Sequence, residues 1–117
     1  MTPDISFPQL TQFDFHTRMA ALRGTALIIF TGPACGACRS WKQLLGSYRR
    51  RHPDLAVFEI DAAQDTALAR EFEVFHLPTL FLFRDGEFHG ELQCEANIET
   101  IHQSVNRMLS QPPREMP

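Results

Sequence analysis

The stretch ALIIFTGPACGACRSW, residues 26 to 41, decides how the chain folds. Ala26 to Phe30 is apolar without interruption, the pattern of a strand buried on both faces rather than one with a wet side. Cys35-Gly36-Ala37-Cys38 follows almost at once, and from there Cys38, Trp41, Leu45 and Tyr48 recur at helical intervals, which makes the last three core candidates. A C-x-x-C at a strand-to-helix junction reads as a dithiol built to be oxidised and reduced. A helix starting there aims unpaired backbone N–H groups and the positive end of its dipole at the first sulfur, favouring thiolate over thiol. Only thiolate attacks a disulfide. Two intervening residues let Cys38 reach back, so a mixed disulfide formed at Cys35 can be released by Cys38. The motif alone is also half of a zinc site, and its surroundings must decide.

Working outward, Asp14 is placed to cap a first helix with Phe15, Met19 and Leu22 at helical spacing and Gly24 to end it. Downstream, Arg49 to His52 closes the helix after the cysteines, where positive side chains meet the negative dipole end, and Pro53 stops it. AVFEID (56–61) is a second strand, followed by a short helix containing Leu68 and Phe72 that Asp65 is placed to cap. Strand, helix, strand implies a parallel crossover. TLFLF (79–83) is a third strand, Asp85-Gly86 a hairpin signal, and Phe88 to Gln93 the antiparallel return. Asn97 opens a last helix whose stripe of Ile98, Ile101, Val105, Met108 and Leu109 should pack on the open sheet face. The expected organisation is one domain over residues 1–110 and a flexible tail, QPPREMP, over 111–117.

Composition limits the function classes. With 117 residues, 44% hydrophobic and 21% charged, the chain suits one ordinary globular domain. A formal net charge of −3 gives no general attraction for nucleic acid or anionic membrane, and the short basic run has its structural reading at a helix end. The N-terminus MTPDISFPQL lacks a basic segment followed by an apolar one, and no apolar stretch is long enough to span a bilayer, so a cytoplasmic, non-membrane protein is expected. Three cysteines are too few for a disulfide scaffold.

The order of elements, C-x-x-C at a helix start and then Leu77-Pro78-Thr79 opening a strand, resembles the thioredoxin family over roughly Leu10 to Leu109. The resemblance implies an α/β thioredoxin fold, a three-layer α/β/α arrangement around a central mixed sheet. It implies a cis bond between Leu77 and Pro78, where Pro78 on its own would read as an ordinary proline at a strand start. In the family this bond leaves backbone beside the dithiol free to pair with an extended client. It further implies Cys35 as nucleophile and Cys38 as resolving thiol, with Gly36, Ala37, Leu77 and Pro78 bordering the client groove. No bound cofactor or metal is required. The partners implied are disulfide-containing client proteins and a thiol reductase or small-thiol electron donor, and the expected state is a monomer.

Several positions depart from the family pattern. Thr31-Gly32-Pro33-Ala34 stands where thioredoxins proper carry a tryptophan-rich approach, and the single tryptophan, Trp41, lies beyond Cys38. Ala37 replaces the common proline, which leaves the loop less restrained and able to shift the potential from a housekeeping thioredoxin's; the resemblance implies a less reducing value. The family's buried acid aligns with Ile29 and its partnering lysine with Val57, both apolar here. Either the resolving step is slower or another group handles the proton; Glu59, on the next strand, is a nearby candidate whose side of the sheet the sequence leaves open. Cys94 falls at the edge of the groove, either as an inert thiol or as an auxiliary one. His76, two residues before Pro78, would as a cation favour the Cys35 thiolate. His16, His52, His89 and His102 read as surface residues.

The leading expectation is a thiol–disulfide oxidoreductase acting as a reductant. Two rivals remain: a metal or Fe–S binder using Cys35, Cys38, Cys94 and His76, and a redox-inactive interaction module on the same fold. A structural zinc site would normally show a second closely spaced ligand pair, and the sequence has none.

Overall fold

In the computed structural model, residues 6 to 117 are described; the first five residues of the expected domain, and of the N-terminal segment, lie outside them. The ALIIF run forms the middle of β1 (Thr25–Thr31), and all five of its side chains are fully buried. An uninterrupted apolar strand needs cover on both faces and partners on both edges, and β1 has both. It pairs in parallel with β2 (Ala56–Asp61) and antiparallel with β3 (Thr79–Arg84), which pairs in turn with β4 (Glu87–Leu92). The sheet order is β2-β1-β3-β4, mixed as expected. Asp85 and Gly86, with φ of 52° and 82°, make the turn between β3 and β4, where both central residues need positive φ.

Alternation along β1 sends Ala26, Ile28 and Phe30 to one face and Leu27 and Ile29 to the other, and each face receives two helices. On the first lie α1 (Phe15–Ala21) and α3 (Thr66–Glu71), over a phenylalanine-rich core of Phe15, Phe30, Phe72, Phe81, Phe83 and Phe88. On the second lie α2 (Gly36–Arg51) and α4 (Ile98–Leu109), contributing Leu45, Tyr48, Ile101 and Val105. This is the three-layer arrangement. Of the tail, Gln111 to Pro117 is exposed, and Arg114 donates its backbone N–H to the Phe88 carbonyl on the outer edge of β4, at 2.7 Å.

Helix ends show where local signals are overridden. Asn97 caps α4 as its sequence suggests, accepting from the Thr100 N–H at 2.9 Å. Asp14 and Asp65 occupy the capping positions of α1 and α3, yet neither side chain caps its own helix. Asp14 turns back to accept from the N–H and hydroxyl of Thr11. Asp65 takes the Gln12 N–H at 3.1 Å, and Gln12 reciprocates by accepting the Ala67 N–H at 3.1 Å, so a long-range exchange replaces the local cap. Helix α1 ends at Ala21, and the Gly24 N–H goes instead to the Asp85 carboxylate at 2.7 Å. Phe72 lies just past the end of α3.

Three of the histidines expected at the surface are not there. His89 is buried and its Nδ1 donates to the Met108 carbonyl at 3.3 Å. His52 and His102 are half-buried and stacked, their centroids 4.5 Å apart, with His102 Nδ1 3.0 Å from the Tyr48 hydroxyl. His16 is exposed, paired with Glu71 at 2.7 Å.

Burial pushes the Tyr48 hydroxyl above the usual tyrosine value of 10.0. The folded protein thus holds that proton more tightly than the unfolded chain. Its contribution is complete below the unfolded value and is lost as pH rises through the folded one. Tyr48→Phe should therefore flatten the alkaline loss of stability, read as the change in urea midpoint between about pH 9 and about pH 11. Equal losses in both proteins would contradict this.

Candidate functional site: a dithiol at the start of α2

Helix α2 begins where β1 has run out. Cys35 is its N-cap, in extended backbone at φ −109° and ψ 99°, and its sulfur accepts the Cys38 N–H at 3.1 Å. A sulfur here takes the place of the oxygen that usually satisfies one of the helix's first N–H groups. No acidic residue in the first turn competes for the positive end of the helix. Cys35 and Cys38 form a disulfide, with Cα atoms 5.2 Å apart. The two sulfurs are unequally accessible: Cys35 is half-buried, whereas Cys38 is 3% exposed and faces the core. Gly36 and Ala37 between them are exposed.

The Leu77–Pro78 bond is cis. Its loop meets the loop before the cysteines at one point: a Cβ on Gly32 would come within 2.7 Å of Leu77 Cδ1. A larger residue at Gly32 would have to push the exposed tip of the Leu77 side chain aside. Beyond this contact lies a groove lined by Trp41, His76, Pro78, Thr79, Gln93 and Cys94. His76, Cys94 and Pro78 thus line one groove. His76 is exposed and its carbonyl accepts from the Thr79 hydroxyl at 2.5 Å. Cys94 is half-buried and free. Trp41 is only half-buried, serving both the core edge and the groove. Two apolar side chains on this loop face solvent, Phe75 at 88% and Leu77 at 37% exposure.

On the other side, both cysteines line a cavity of about 250 Å³ together with Thr31, Arg39, Lys42 and Glu59. Ile29 and Val57 are buried and apolar. Glu59 lies on their face of the sheet, since Val57 and Glu59 are two residues apart on β2. Its carboxylate accepts from the Thr31 hydroxyl at 2.6 Å and from Lys42 Nζ at 3.2 and 3.4 Å. Thr31, legible only as part of the segment leading to the dithiol, and Lys42 carry no site signal of their own in the sequence. The available signals were a lone glutamate inside an apolar strand and a lysine four residues after Cys38, on the same face of α2.

Among the described residues, no group of three or more His, Cys, Asp or Glu side chains is placed to hold a metal ion. Cys94 and His76 border the groove, while Cys35 and Cys38 border the cavity, so the four proposed ligands are not drawn together. Among the described residues, no helix is long and apolar enough to cross a membrane.

A mixed sheet layered between helices, with a vicinal disulfide opening the helix after the central strand and a cis proline nearby, defines the thioredoxin class of fold. The thioredoxin family model matches residues 6 to 107, and the chain belongs to that family. It is 31% identical over 80 residues to a thioredoxin of Mycobacterium tuberculosis, covering 68% of this chain and 69% of that protein. It is 28% identical over 106 residues to a probable protein disulfide-isomerase ER-60 of Schistosoma mansoni, covering 87% of this chain and 21% of that protein. The chain spans only 13% to 21% of the length of several curated relatives it matches. Among solved structures, oxidised mitochondrial thioredoxin 3 of Saccharomyces cerevisiae superposes with a TM-score of 0.74 at 23% identity. That superposition covers 86% of this chain and 94% of the yeast chain, and supports the shared fold.

If the Leu77 side chain helps seat the client, Gly32→Ala, which would push its exposed tip aside without moving backbone, should slow reduction of a protein disulfide by about two- to threefold. Alkylation of reduced Cys35 by iodoacetamide should change much less. Equal slowing of both reactions would show that the contact does not act through client placement.

Proposed function

We propose that this domain is a thiol–disulfide oxidoreductase that reduces disulfides of client proteins. The observation that carries the reading is the asymmetric vicinal pair: an accessible sulfur capping α2 and a buried one a single turn later. In the reduced domain, Cys35 thiolate attacks a client sulfur, a Cys35–client disulfide forms, and the other client sulfur leaves as thiolate. Cys38 then attacks Cys35, forming the intramolecular disulfide and releasing the second client thiolate. The client gains two electrons and the dithiol loses two, and a thiol reductase or small thiol returns them. The groove beside Pro78 is the proposed site for the client backbone, with Leu77, Gly36 and Ala37 proposed as further client contacts. His76 and Cys94 are proposed as groove contacts.

Turnover with insulin as client and dithiothreitol as donor tests the roles. Cys35→Ser should abolish reduction beyond the dithiothreitol background, because a hydroxyl is a far poorer nucleophile than a thiolate at neutral pH. Cys38→Ser should accumulate a stable Cys35–insulin adduct, identified by peptide mass. Full activity in the first variant with loss in the second would reverse the assignment. No activity in the wild-type protein would favour a redox-inactive module.

A further inference from the structure

The cavity on the inner side of the dithiol holds a carboxylate that the exchange chemistry, as written, does not use. Glu59 has a side chain only 7% exposed, set on its face of β2 between the buried apolar Val57 and the half-buried Asp61 that ends the strand. Burying a charge there is costly unless it is paired, and even a well-paired buried ion pair is a poor stabiliser compared with apolar packing. The pair is therefore better explained by what it adjoins. Thr31 and Lys42 fix the carboxylate, and their contacts leave part of its capacity of about four acceptor sites open. The cavity that Glu59 shares with Cys38 measures about 250 Å³, enough for a short relay of waters at about 30 Å³ each.

We propose that Glu59 accepts the proton of Cys38 as that thiol resolves the mixed disulfide, an assignment that rests on the oxidoreductase reading above. The proton leaves Cys38 Sγ through cavity water to the Glu59 carboxylate. Cys38 Sγ then bonds to Cys35 Sγ, the bond between Cys35 and the client sulfur breaks, and the client leaves with the electron pair as thiolate. Glu59 returns its proton to solvent or to the departing thiolate. Lys42 supplies the countercharge and Thr31 the orientation. Arg39, also from α2, adds positive charge to the same cavity, while Ile29 of β1 and Val57 of β2 bring no ionisable group. Glu59 is thus a proton-relay residue, acting on sulfur through water.

The test mixes reduced protein with glutathione disulfide, quenches with acid at successive times, and follows glutathione on Cys35 by peptide mass. Glu59→Gln keeps the side chain's size but cannot take up a proton. The adduct should live about tenfold longer near neutral pH, the low end for losing one acid–base group. The difference from wild type should narrow as pH rises, because hydroxide increasingly removes the Cys38 proton without the carboxylate. Glu59→Asp should recover part of the rate. Thr31→Val, a change well suited to a strand, should lengthen the lifetime by a smaller factor through loss of orientation, and keeps the test open should Glu59→Gln not fold.

An unchanged adduct lifetime in Glu59→Gln, or a lengthening by the same factor at every pH, would overturn the assignment. If Glu59→Gln does not fold, an unchanged lifetime in Thr31→Val does so. If wild-type protein forms no adduct on Cys35 at all, the oxidoreductase reading falls and takes the Glu59 role with it. Adducts that form and resolve alike in both proteins remove Glu59 alone.

Discussion

Strand β1 is hydrogen-bonded along both edges and packed on both faces, and the position of every reactive group follows from that confinement. Its end at Thr31 cannot shift without disturbing both cores, so the short link of Gly32, Pro33 and Ala34 delivers the start of α2 to a fixed place. A helix start fixed in this way presents its free N–H groups to whatever side chain caps it. Here that side chain is a cysteine. The same strand places Ile29 and Thr31 on the face that α2 covers, and thereby decides what lies beneath the sulfurs.

The second consequence concerns charge. A buried carboxylate is tolerated only where it is paired and hydrogen-bonded, and Glu59 draws its partners from two other elements, the hydroxyl from β1 and the ammonium from α2. Thr31 is small enough to leave a cavity at the end of β1, and that cavity is where the dithiol, Glu59 and Lys42 meet. Apolar residues at 29 and 57 and an acid at 59 thus amount to a relocation of polarity on one face of the sheet. Gly32, which also borders that cavity, lies close to the side chain of Leu77, the residue before Pro78. In the function proposed above, the cavity serves proton traffic and the groove client contact.

Much of this was legible in the sequence, for identifiable physical reasons. The ALIIF run admits only a strand covered on both faces, Asp85-Gly86 demands the turn it makes, and Asn97 has a free N–H within reach. Asp14 and Asp65 carry the same local signal as Asn97, but other donors outcompete the helix for their oxygens, Thr11 just upstream of Asp14 and the distant Gln12 for Asp65. His89 escaped because its burial depends on how α4 crosses β4, which no local pattern encodes. Lys42 escaped for a related reason. A lysine on a helix reads as a solvated charge until the register of β1 on β2 shows a glutamate waiting beneath it.

The central claim, that Cys35 and Cys38 act as one redox couple seated at the start of α2, is tested most directly by equilibrating the protein with glutathione buffers of graded ratio and counting thiols residue by residue. The account predicts a single reversible two-electron transition in which Cys35 and Cys38 change together while Cys94 does not follow them. Its midpoint would also place the domain on the scale from reductant to oxidant. Independent one-thiol transitions, each ending in a separate glutathione adduct on Cys35 and on Cys38, would contradict it.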